Sequence, residues 1–315
     1  MPLRSITFLK LHRTGKMISD AHIESGSYTP RQAFHGSQPS ILVVSWNIDR
    51  GAKLQGIVDF LAEAKADLVL LQEADVNARR TSNRHVAREL SRSLGLNYVF
   101  APEFQELAQG QGPSPAYHGQ ATLSPWPLSN SRTLRFQKQS RFWQPRWFLP
   151  KIAIFQRRIG GRIALVSEVN IGGYKLLTYN VHLESRGSDQ LRCFQLEECL
   201  ADVGGYGPHV PVILAGDFNM NVLRSDALRA IRRARLFCIP SEAPATTKPR
   251  WFKNKIAEPI DWILARGPVH TANLRVHSSV SASDHYPISL DLIVAKEQLE
   301  ESCYSGSPDS SPSPG

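Results

Sequence analysis

Residues 212–219 read VILAGDFN, an apolar run that ends at Gly216 and is followed at once by Asp217 and Asn219. A short apolar run bounded by a turn signal is typical of a strand that is buried on both faces. In α/β sheets, ligand sites collect beyond the carboxyl ends of such strands. The stretch therefore predicts a buried strand that carries an aspartate and an asparagine to a functional site.

The same placement recurs along the rest of the chain. Further polar residues adjoin apolar runs, and their side chains are of types that can bind cations, move protons or donate to oxyanions. They are Asn47 after residues 41–46, Glu73 after 68–71, Asn180 and His182 at the end of LLTYNVH, and Asp284 and His285 just before 287–294. Because strand ends meet at one edge of a sheet, we expect these scattered side chains to converge.

Three of these residues suit a hard divalent cation. Glu73 and Asp284 carry carboxylate oxygens, and Asn47 adds a carbonyl oxygen. Mg²⁺ and Mn²⁺ prefer oxygen ligands of this kind. We therefore expect a Mg²⁺ site, in which Mn²⁺ can substitute, built from Asn47, Glu73 and Asp284.

The remaining polar residues suit the chemistry of a phosphate ester. His182 and His285 carry or transfer protons near neutral pH, and a carboxylate such as Asp217 orients and deprotonates a water. Asn180 and Asn219 can donate to phosphoryl oxygens. A divalent cation, an activated water and cationic donors are together what hydrolysis of a phosphate ester requires.

Each residue also has a purely structural interpretation. A glutamate after a strand, such as Glu73, is often a turn residue, and Asp-Phe-Asn after Gly216 fits an Asx-turn. His182 fits a core histidine with satisfied hydrogen bonds. The recurrence of one placement at several strands favours a shared site over a set of unrelated turns.

Strands and helices alternate through the middle of the chain. Apolar residues recur at helical spacing over residues 54–65, 84–94, 190–200 and 224–235, and short apolar runs predict strands at 41–46, 68–71, 97–101, 121–123, 128–136, 162–170, 174–180, 212–215, 260–265, 272–277 and 287–294. We expect Gly95 to end the second helix, and a hairpin to turn at Gly172 and Gly173. This mixture predicts an α/β sandwich with mixed sheets.

The composition is that of a globular protein with flexible ends. The chain has 315 residues, 42% of them hydrophobic, and a formal net charge of +9. It contains no apolar run near the ~18 residues of a membrane span and no secretory signal, so we expect a cytoplasmic monomer. Its four cysteines lack metal-binding spacing, which favours free thiols. We predict a flexible leader over residues 1–38, one domain over 39–296 and a disordered Ser/Pro-rich tail over 297–315.

One segment is unusually basic and aromatic. Residues 132–162 contain nine arginines and lysines, no acidic residue and six Phe or Trp side chains. Basic groups neutralise phosphates, and aromatic rings stack on unpaired bases. We therefore expect Arg141, Trp143, Arg146 and Arg162 to bind a nucleic-acid substrate. The same composition suits an anionic membrane surface, or a solvated face over core aromatics, and these alternatives remain open.

Eight segments, in order, resemble those of the endonuclease/exonuclease/phosphatase superfamily, the deoxyribonuclease-like metal-dependent phosphoesterases. They are SWNI (45–48), LLQE (70–73), GQATLSPWPL (119–128), GGRIALV (160–166), YNVHLES (179–185), GDFN (216–219), IDWIL (260–264) and SDHYPI (283–288). Each is short, but together they span roughly residues 40–293. The resemblance implies a four-layered α/β/β/α sandwich of two mixed β-sheets.

The resemblance also assigns a role to each matching residue. It implies that Asn47, Glu73 and Asp284 bind the metal, Asp217 orients the attacking water, Asn219 holds the transition-state oxygens, His285 contacts the phosphate, Asp261 orients His285, and His182, Asn180 and, less directly, Arg162 face the phosphate. Two positions depart from the usual pattern. Gln120 replaces an asparagine but keeps an amide, and Asp49 is either an additional polar group of the metal site or a turn residue.

The implied activity is Mg²⁺-dependent hydrolysis of a phosphodiester or phosphomonoester. Fold and core residues do not select the substrate among the branches of the superfamily. YNVHLES followed by Arg186 is similar to the tyrosyl-DNA phosphodiesterase branch, and the basic segment favours nucleic acid. The alternatives are a phospholipid, inositol phosphate or sphingomyelin substrate, and a catalytically silent protein that binds phosphate ligands.

Overall fold

Thirteen strands and four α-helices make up the described part of the chain. The computed structural model describes residues 23–28, 40–111, 113–140, 142, 148–150, 154–155, 157–237, 240, 243–249 and 256–294. The elements are β1 (Glu24–Gly26), β2 (Ser40–Arg50), α1 (Leu54–Ala64), β3 (Leu68–Val76), α2 (Val86–Leu94), β4 (Asn97–Gln111), β5 (Ser114–Ser124), β6 (Leu128–Arg135), β7 (Arg158–Gly160), β8 (Ile163–Ile171), β9 (Tyr174–His182), α3 (Asp189–Gly204), β10 (Val212–Asp217), α4 (Ala227–Arg233), β11 (Asp261–Arg266), β12 (Val269–Val276) and β13 (Ile288–Val294).

The strands form two mixed sheets. The larger sheet has the strand order β1-β4-β5-β3-β2-β13-β12, with β7 paired to β4, and the smaller sheet has the order β11-β10-β9-β8-β6. β2 runs parallel to β3 and β9 runs parallel to β10, whereas their other neighbours are antiparallel. The predicted hairpin across Gly172 and Gly173 is confirmed, since it joins β8 to β9.

Apolar side chains form three layers between the elements. Ile41 and Ile213 lie in the layer between the two sheets. Leu61 of α1 belongs to the layer on the outer face of the larger sheet, and Leu196 of α3 and Ile231 of α4 belong to the layer on the outer face of the smaller sheet. The order of layers is therefore helix, sheet, sheet, helix, and the four-layered sandwich is confirmed.

Local sequence explains where the helices begin and end. Gly95 ends α2 as expected, with a φ of 65° that an L side chain rarely adopts, and its N–H donates to the carbonyl of Ser91. The hydroxyl of Ser188 caps α3 by accepting from the N–H of Leu191. Gly95 thus directs the chain from α2 into β4, and Ser188 begins α3 shortly after β9.

The strands β4 and β5 extend well beyond the predicted runs of 97–101 and 121–123. β4 continues to Gln111 although Glu103 and Glu106 lie in the extension, and both glutamates are buried. Arg162 donates to Glu103, and Arg80 donates to Glu106. These arginines come from distant parts of the chain, so the local pattern gives no sign that the acidic stretch is buried.

Two further differences concern the predicted leader and the fourth helix. β1 lies within residues 1–38 and pairs with β4, while the rest of that leader, and the tail over 297–315, fall outside the described residues. The helix predicted over 224–235 is shorter, because residues 222–224 form a separate 3₁₀ turn before α4. Among the described residues, no helix is long and apolar enough to cross a membrane.

Candidate active site

The smaller sheet brings three predicted residues side by side. β10 lies between β9 and β11, and the register pairs Asp217 with His182 on one side and with Asp261 on the other. All three side chains are buried. The strand-end placement in the sequence therefore corresponds to one edge of the sheet, as expected.

His285 and Asp261 form a hydrogen-bonded pair at this edge. Nδ1 of His285 lies 2.9 Å from Oδ2 of Asp261, and that oxygen also accepts from the Thr246 hydroxyl at 2.6 Å. Oδ1 of Asp261 is 3.1 Å from the same nitrogen. With Nδ1 held by Asp261, Nε2 of His285 is directed toward Asp217, whose Oδ2 lies 3.8 Å away.

The two carboxylates control the charge of His285. Burial lowers the pKa of His285, but Asp261 and Asp217 more than offset it and raise that pKa to about 9. Burial also raises the pKa of Asp261, against the lowering effect of His285 and with the added repulsion of Asp217. At neutral pH the site therefore contains an imidazolium that can donate from Nε2.

Asp217 is the point at which the site residues meet. Its Oδ2 accepts from Nδ2 of Asn47 at 3.1 Å, and its Oδ1 accepts from the backbone N–H of Asn219 at 2.8 Å. Nε2 of His182 lies 3.6 Å from the same Oδ2. A carboxylate fixed by two N–H donors and flanked by two imidazoles can orient a water molecule.

Glu73 lies on an irregular part of β3. Its φ is 61°, and the pairing of β3 with both neighbouring strands shifts register around it. Its two carboxylate oxygens lie 3.9 Å from Nε2 of His118 and 4.0 Å from Nε2 of His182. Burial alone would raise the pKa of Glu73. The nearby His118, His182, Arg50 and Arg162 outweigh this effect and hold the pKa below its ordinary value, so the carboxyl group is ionised at neutral pH.

A buried ion pair supports His182 from behind. Nδ1 of His182 lies 3.1 Å from Oε1 of Glu103, and Nη1 of Arg162 lies 2.6 Å from Oε2 of Glu103 and 2.8 Å from the same imidazole nitrogen. Nη2 of Arg162 donates to the Ser185 hydroxyl at 2.9 Å. Arg162 thus lies buried beside the site, and its predicted contact with substrate stays a prediction. Glu103, His118 and Thr246 were missed because no motif or strand-end position marks them.

Asn180 makes structural contacts between the two sheets, and its predicted contact with phosphate stays a prediction. Its Nδ2 donates to the carbonyls of Leu71 and Ala121 in the larger sheet, and its Oδ1 accepts from Gln72. These three bonds join the two sheets through the Asn180 amide. Gln120 makes a similar bridge, since it donates to the carbonyl of Ile163 in the smaller sheet.

The other predicted residues take varied positions. Asn219 adopts a φ of 52° and donates to the carbonyl of Leu183 at 3.1 Å, which fixes its amide beside Asp217. Asp284 is half-buried and accepts from the Ser283 hydroxyl at 3.3 Å. Asp49 pairs with its half-buried neighbour Arg50. Arg141, Trp143 and Arg146 lie outside the described residues, so their substrate contacts stay predictions.

The donor set fits a hard divalent cation. The register pairs Asn47 with Gln72, the residue before Glu73, so Asn47 and Glu73 lie on neighbouring strands at one sheet edge. Nδ2 of Asn47 donates to Asp217, and Oδ1 of Asn47 accepts from the backbone N–H of Asp49 at 3.2 Å. A second group, Asp217, Asp261 and His285, has ligand atoms within 4.8 Å of one another. In that group Asp261 and His285 already bind each other, whereas Glu73 and Asn47 carry oxygen donors of the kind that hard divalent cations prefer.

The fold and this cluster define a class of protein, the metal-dependent phosphoesterases built on an α/β/β/α sandwich. A family model described as "Endonuclease/Exonuclease/phosphatase family" matches residues 44–285, and the chain belongs to that family. No curated protein shows a match to this sequence.

Several solved structures share the fold. An endonuclease/exonuclease/phosphatase from Beutenbergia cavernae is 16% identical, with 81% of this chain and 72% of that chain covered and a TM-score of 0.59. One from Bacteroides vulgatus is also 16% identical, with 82% and 100% covered and a TM-score of 0.58. A humanized D. rerio TDP2 is 19% identical, with 80% and 98% covered and a TM-score of 0.53. At these identities the likeness describes the fold alone.

Proposed function

We propose that this protein is a Mg²⁺-dependent phosphodiesterase that acts on nucleic acid. The observation that carries the proposal is the meeting of Asp217 with Asn47, His182 and His285 at one buried edge. In this arrangement the Asp217 carboxylate can orient a water, and the histidines can donate to a phosphoryl group. The Asn47 amide, together with the Glu73 carboxylate, can hold a cation. Hydrolysis of a phosphate ester needs all three.

Asp217 acts on the attacking water. Its two oxygens are held by Asn47 and by the backbone of Asn219, so the carboxylate is oriented before substrate binds. It accepts a proton from the water as the new O–P bond forms in line with the ester bond that breaks. General-base catalysis of this kind contributes about 10²–10⁴-fold to a rate.

His285 and Asn219 act on the charge that develops at phosphorus. Asp261 holds Nδ1 of His285, so the Nε2–H of the imidazolium is free of that pair and donates to a phosphoryl oxygen. Asn219 is fixed by Leu183 and presents its amide next to Asp217. Donors fixed in a buried site cost no reorganisation during the reaction.

Glu73 and Asn47 would hold the cation. The ionised carboxylate of Glu73 supplies a charged oxygen and Asn47 a neutral one. When bound, a divalent cation polarises the phosphoryl group and neutralises part of its charge. Asp284 stays a predicted third ligand, since the contact described for its side chain is with Ser283.

Cationic groups on two sides of the site favour a substrate with several phosphates. Nζ of Lys53 donates to the carbonyl of Ser281, and Nζ of Lys248 donates to the carbonyl of Ser283. Both carbonyls lie in the loop that carries Asp284 and His285. On the other side, the Arg186 guanidinium lies 5.0 Å from the ring centroid of Phe142. Spaced cations and an aromatic ring suit the backbone and the bases of a nucleic-acid strand.

A phospholipid substrate is the second candidate, and exposed apolar side chains favour it. Phe142, Phe148 and Ile154 are 62%, 66% and 83% exposed. Aromatic and aliphatic side chains among basic residues can also enter the headgroup region of an anionic membrane. The net charge of +9 is compatible with both substrates.

The test is hydrolysis of a panel of phosphate esters by wild-type protein and by Asp217→Asn. The panel contains single-stranded DNA, abasic duplex DNA, 5′-tyrosyl DNA, RNA, an inositol phosphate and sphingomyelin. We expect Mg²⁺-dependent cleavage of a nucleic acid that is lost in the variant. Cleavage of sphingomyelin or the inositol phosphate alone would transfer the proposal to the second candidate, and no cleavage with any cation would refute both.

A further inference from the structure

Three buried histidines surround the carboxylates of the site, and each is backed by a carboxylate on its far side. The Nδ1–carboxylate distances are 2.9 Å for His285 with Asp261, 3.1 Å for His182 with Glu103, and 2.9 Å for His118 with Asp75. The first two histidines face Asp217, and the proposed reaction uses that part of the site. The third pair has no role in the reaction so far described.

The pairing of strands fixes His118 and Asp75 to each other. The register of β3 and β5 places Asp75 directly opposite His118, and both side chains are at most 1% exposed. Because Nδ1 of His118 is bonded to Asp75, the opposite ring nitrogen must point away from it. That nitrogen, Nε2, lies 3.9 Å from Oε2 of Glu73.

An arginine holds Asp75 in place. Nε and Nη2 of Arg80 donate to the two oxygens of Asp75, each at 2.7 Å, and Nη2 also donates to Glu106 at 2.8 Å. A bidentate pair of this kind fixes both the position and the plane of the carboxylate. The orientation of His118 is thereby set by a chain of contacts that begins outside the site.

Glu73 needs such support more than its neighbours do. It lies where the pairing of β3 is irregular and its φ is 61°, so the regular hydrogen bonding of a sheet does not set its direction. Its carboxylate is flanked on one side by His118 and on the other by His182. Partners behind a metal ligand orient it and tune its affinity, and their loss typically weakens metal binding by 10–100-fold.

We infer that His118, held by Asp75 and Arg80, is a positioning residue that fixes the carboxylate of Glu73 for a divalent cation. The inference rests on the proposed function, because it takes Glu73 as the cation ligand. His118 touches neither substrate nor the reacting atoms. Its effect is on the affinity for the cation, not on the bond that breaks.

Two variants of His118 separate positioning from general damage. In His118→Asn the amide nitrogen can still donate to Asp75, but nothing reaches toward Glu73. In His118→Gln the longer amide can occupy the place of Nε2. Glu106→Gln is the matched control, since Glu106 is buried in the same network and accepts from Arg80 but does not face Glu73.

The measurement is Mn²⁺ binding to the full-length proteins by isothermal titration calorimetry, followed by the Mg²⁺ dependence of hydrolysis. We expect His118→Asn to weaken Mn²⁺ binding about tenfold or more, His118→Gln to recover part of the loss, and Glu106→Gln to bind as wild type. The half-saturating Mg²⁺ concentration should rise in parallel, while kcat at saturating Mg²⁺ is largely retained.

The possible failures are distinguishable. Equal Mn²⁺ affinity in wild type and His118→Asn would overturn the positioning role and leave the proposed function intact. Equal weakening in Glu106→Gln would also overturn it, because the effect would then belong to the whole network. Wild-type protein that binds no Mn²⁺ would refute the metal-dependent function and this inference together.

Discussion

Asp217 and Asp261 face each other directly across β10 and β11, and yet their surroundings give them different functions. Asp261 is held by the Thr246 hydroxyl and by His285, so both of its oxygens are occupied within the protein. Asp217 is held by N–H donors from Asn47 and Asn219 and is flanked by two imidazoles. One carboxylate therefore sets the charge of a histidine, and the other is the one that, in the proposed function, orients the attacking water.

Replacing Asp261 should shift the pH dependence of the reaction. Asp261 is a main reason why the pKa of His285 is raised to about 9. In Asp261→Asn that pKa should fall toward the ordinary value of about 6.5 for histidine. If the imidazolium is the active form, the alkaline limb of kcat/KM against pH should move to lower pH. A limb that stays in place would mean that His285 does not act as a cation.

The same shift predicts how stability depends on pH. A histidine whose pKa is raised in the folded state stabilises the fold fully below its unfolded pKa, and this contribution is lost as pH rises through the folded pKa. For His285 the window runs from 6.5 to about 9. In chelator, the free energy of unfolding of wild type minus that of His285→Asn should be largest below pH 6.5 and shrink toward pH 9. A difference that does not vary with pH would contradict the assignment.

Asp217→Asn should strongly reduce turnover with little effect on the fold. The amide keeps the shape of the side chain and one acceptor for Asn47 or Asn219, but it cannot take a proton from water. We expect kcat to fall by about 10²–10⁴-fold, with a thermal midpoint close to that of wild type. Asp226→Asn is the control, because Asp226 lies on the surface beside α4 and is 88% exposed. Near-normal activity in Asp217→Asn would remove Asp217 from the mechanism.

Much of the site could be predicted from strand ends alone. The polar residues that follow the apolar runs of β9 and β10 share one edge because those strands are parallel neighbours. His182 and Asp217 are therefore adjacent in space, as the sequence predicts. The alternation of side chains also explains the position of Asn180. It points to the same face as His182 but lies two residues earlier, about 7 Å deeper between the sheets, where its amide joins them.

The supporting charges could not be predicted from the sequence. Glu103 lies in the polar stretch PEFQEL, which resembles a loop, and its partners Arg162 and His182 are 59 and 79 residues away. Asp75 follows the LLQE motif, but the reason for its burial is the bidentate contact with Arg80. A buried carboxylate is stable only when it is paired, and these pairs exist only once the sheets have formed.

Asn180→Ala should lower stability without altering the reaction chemistry. The substitution removes the bonds to the carbonyls of Leu71 and Ala121 and the bond from Gln72, whose amide keeps its contacts with the Leu70 carbonyl and the Ser45 hydroxyl. Each unpaired buried group costs about 1–3 kcal/mol, so we expect the free energy of unfolding in urea to fall by about 2 kcal/mol or more. The control is Asn170→Ala, whose exposed side chain accepts a single bond from Gly173. A catalytic loss at full stability would restore the predicted phosphate contact.

The basic segment should contribute to binding in a salt-dependent way. Each phosphate contact on single-stranded nucleic acid contributes about −0.7 to the slope of log K against log salt, because counterions are released. If Arg141, Arg146 and Lys151 all contact phosphates, replacing the three with Gln should reduce the slope by about 2 and weaken binding most at low salt. Fluorescence anisotropy with a labelled DNA strand across a NaCl series measures both quantities.

The control removes the same charge from another part of the surface. Lys65, Arg92 and Lys175 are all exposed. Lys65 lies just before β3 and Lys175 lies at the start of β9, so both are at the opposite ends of these strands from the site residues. Replacing these three with Gln lowers the net charge equally, so a general effect of charge would reduce both slopes alike. If only the variant at Arg141, Arg146 and Lys151 has a smaller slope of log K against log salt, the DNA strand lies along the basic segment. An unchanged slope would mean that those arginines and the lysine form a solvated face, and binding of anionic vesicles by the same variants would then decide for the membrane surface.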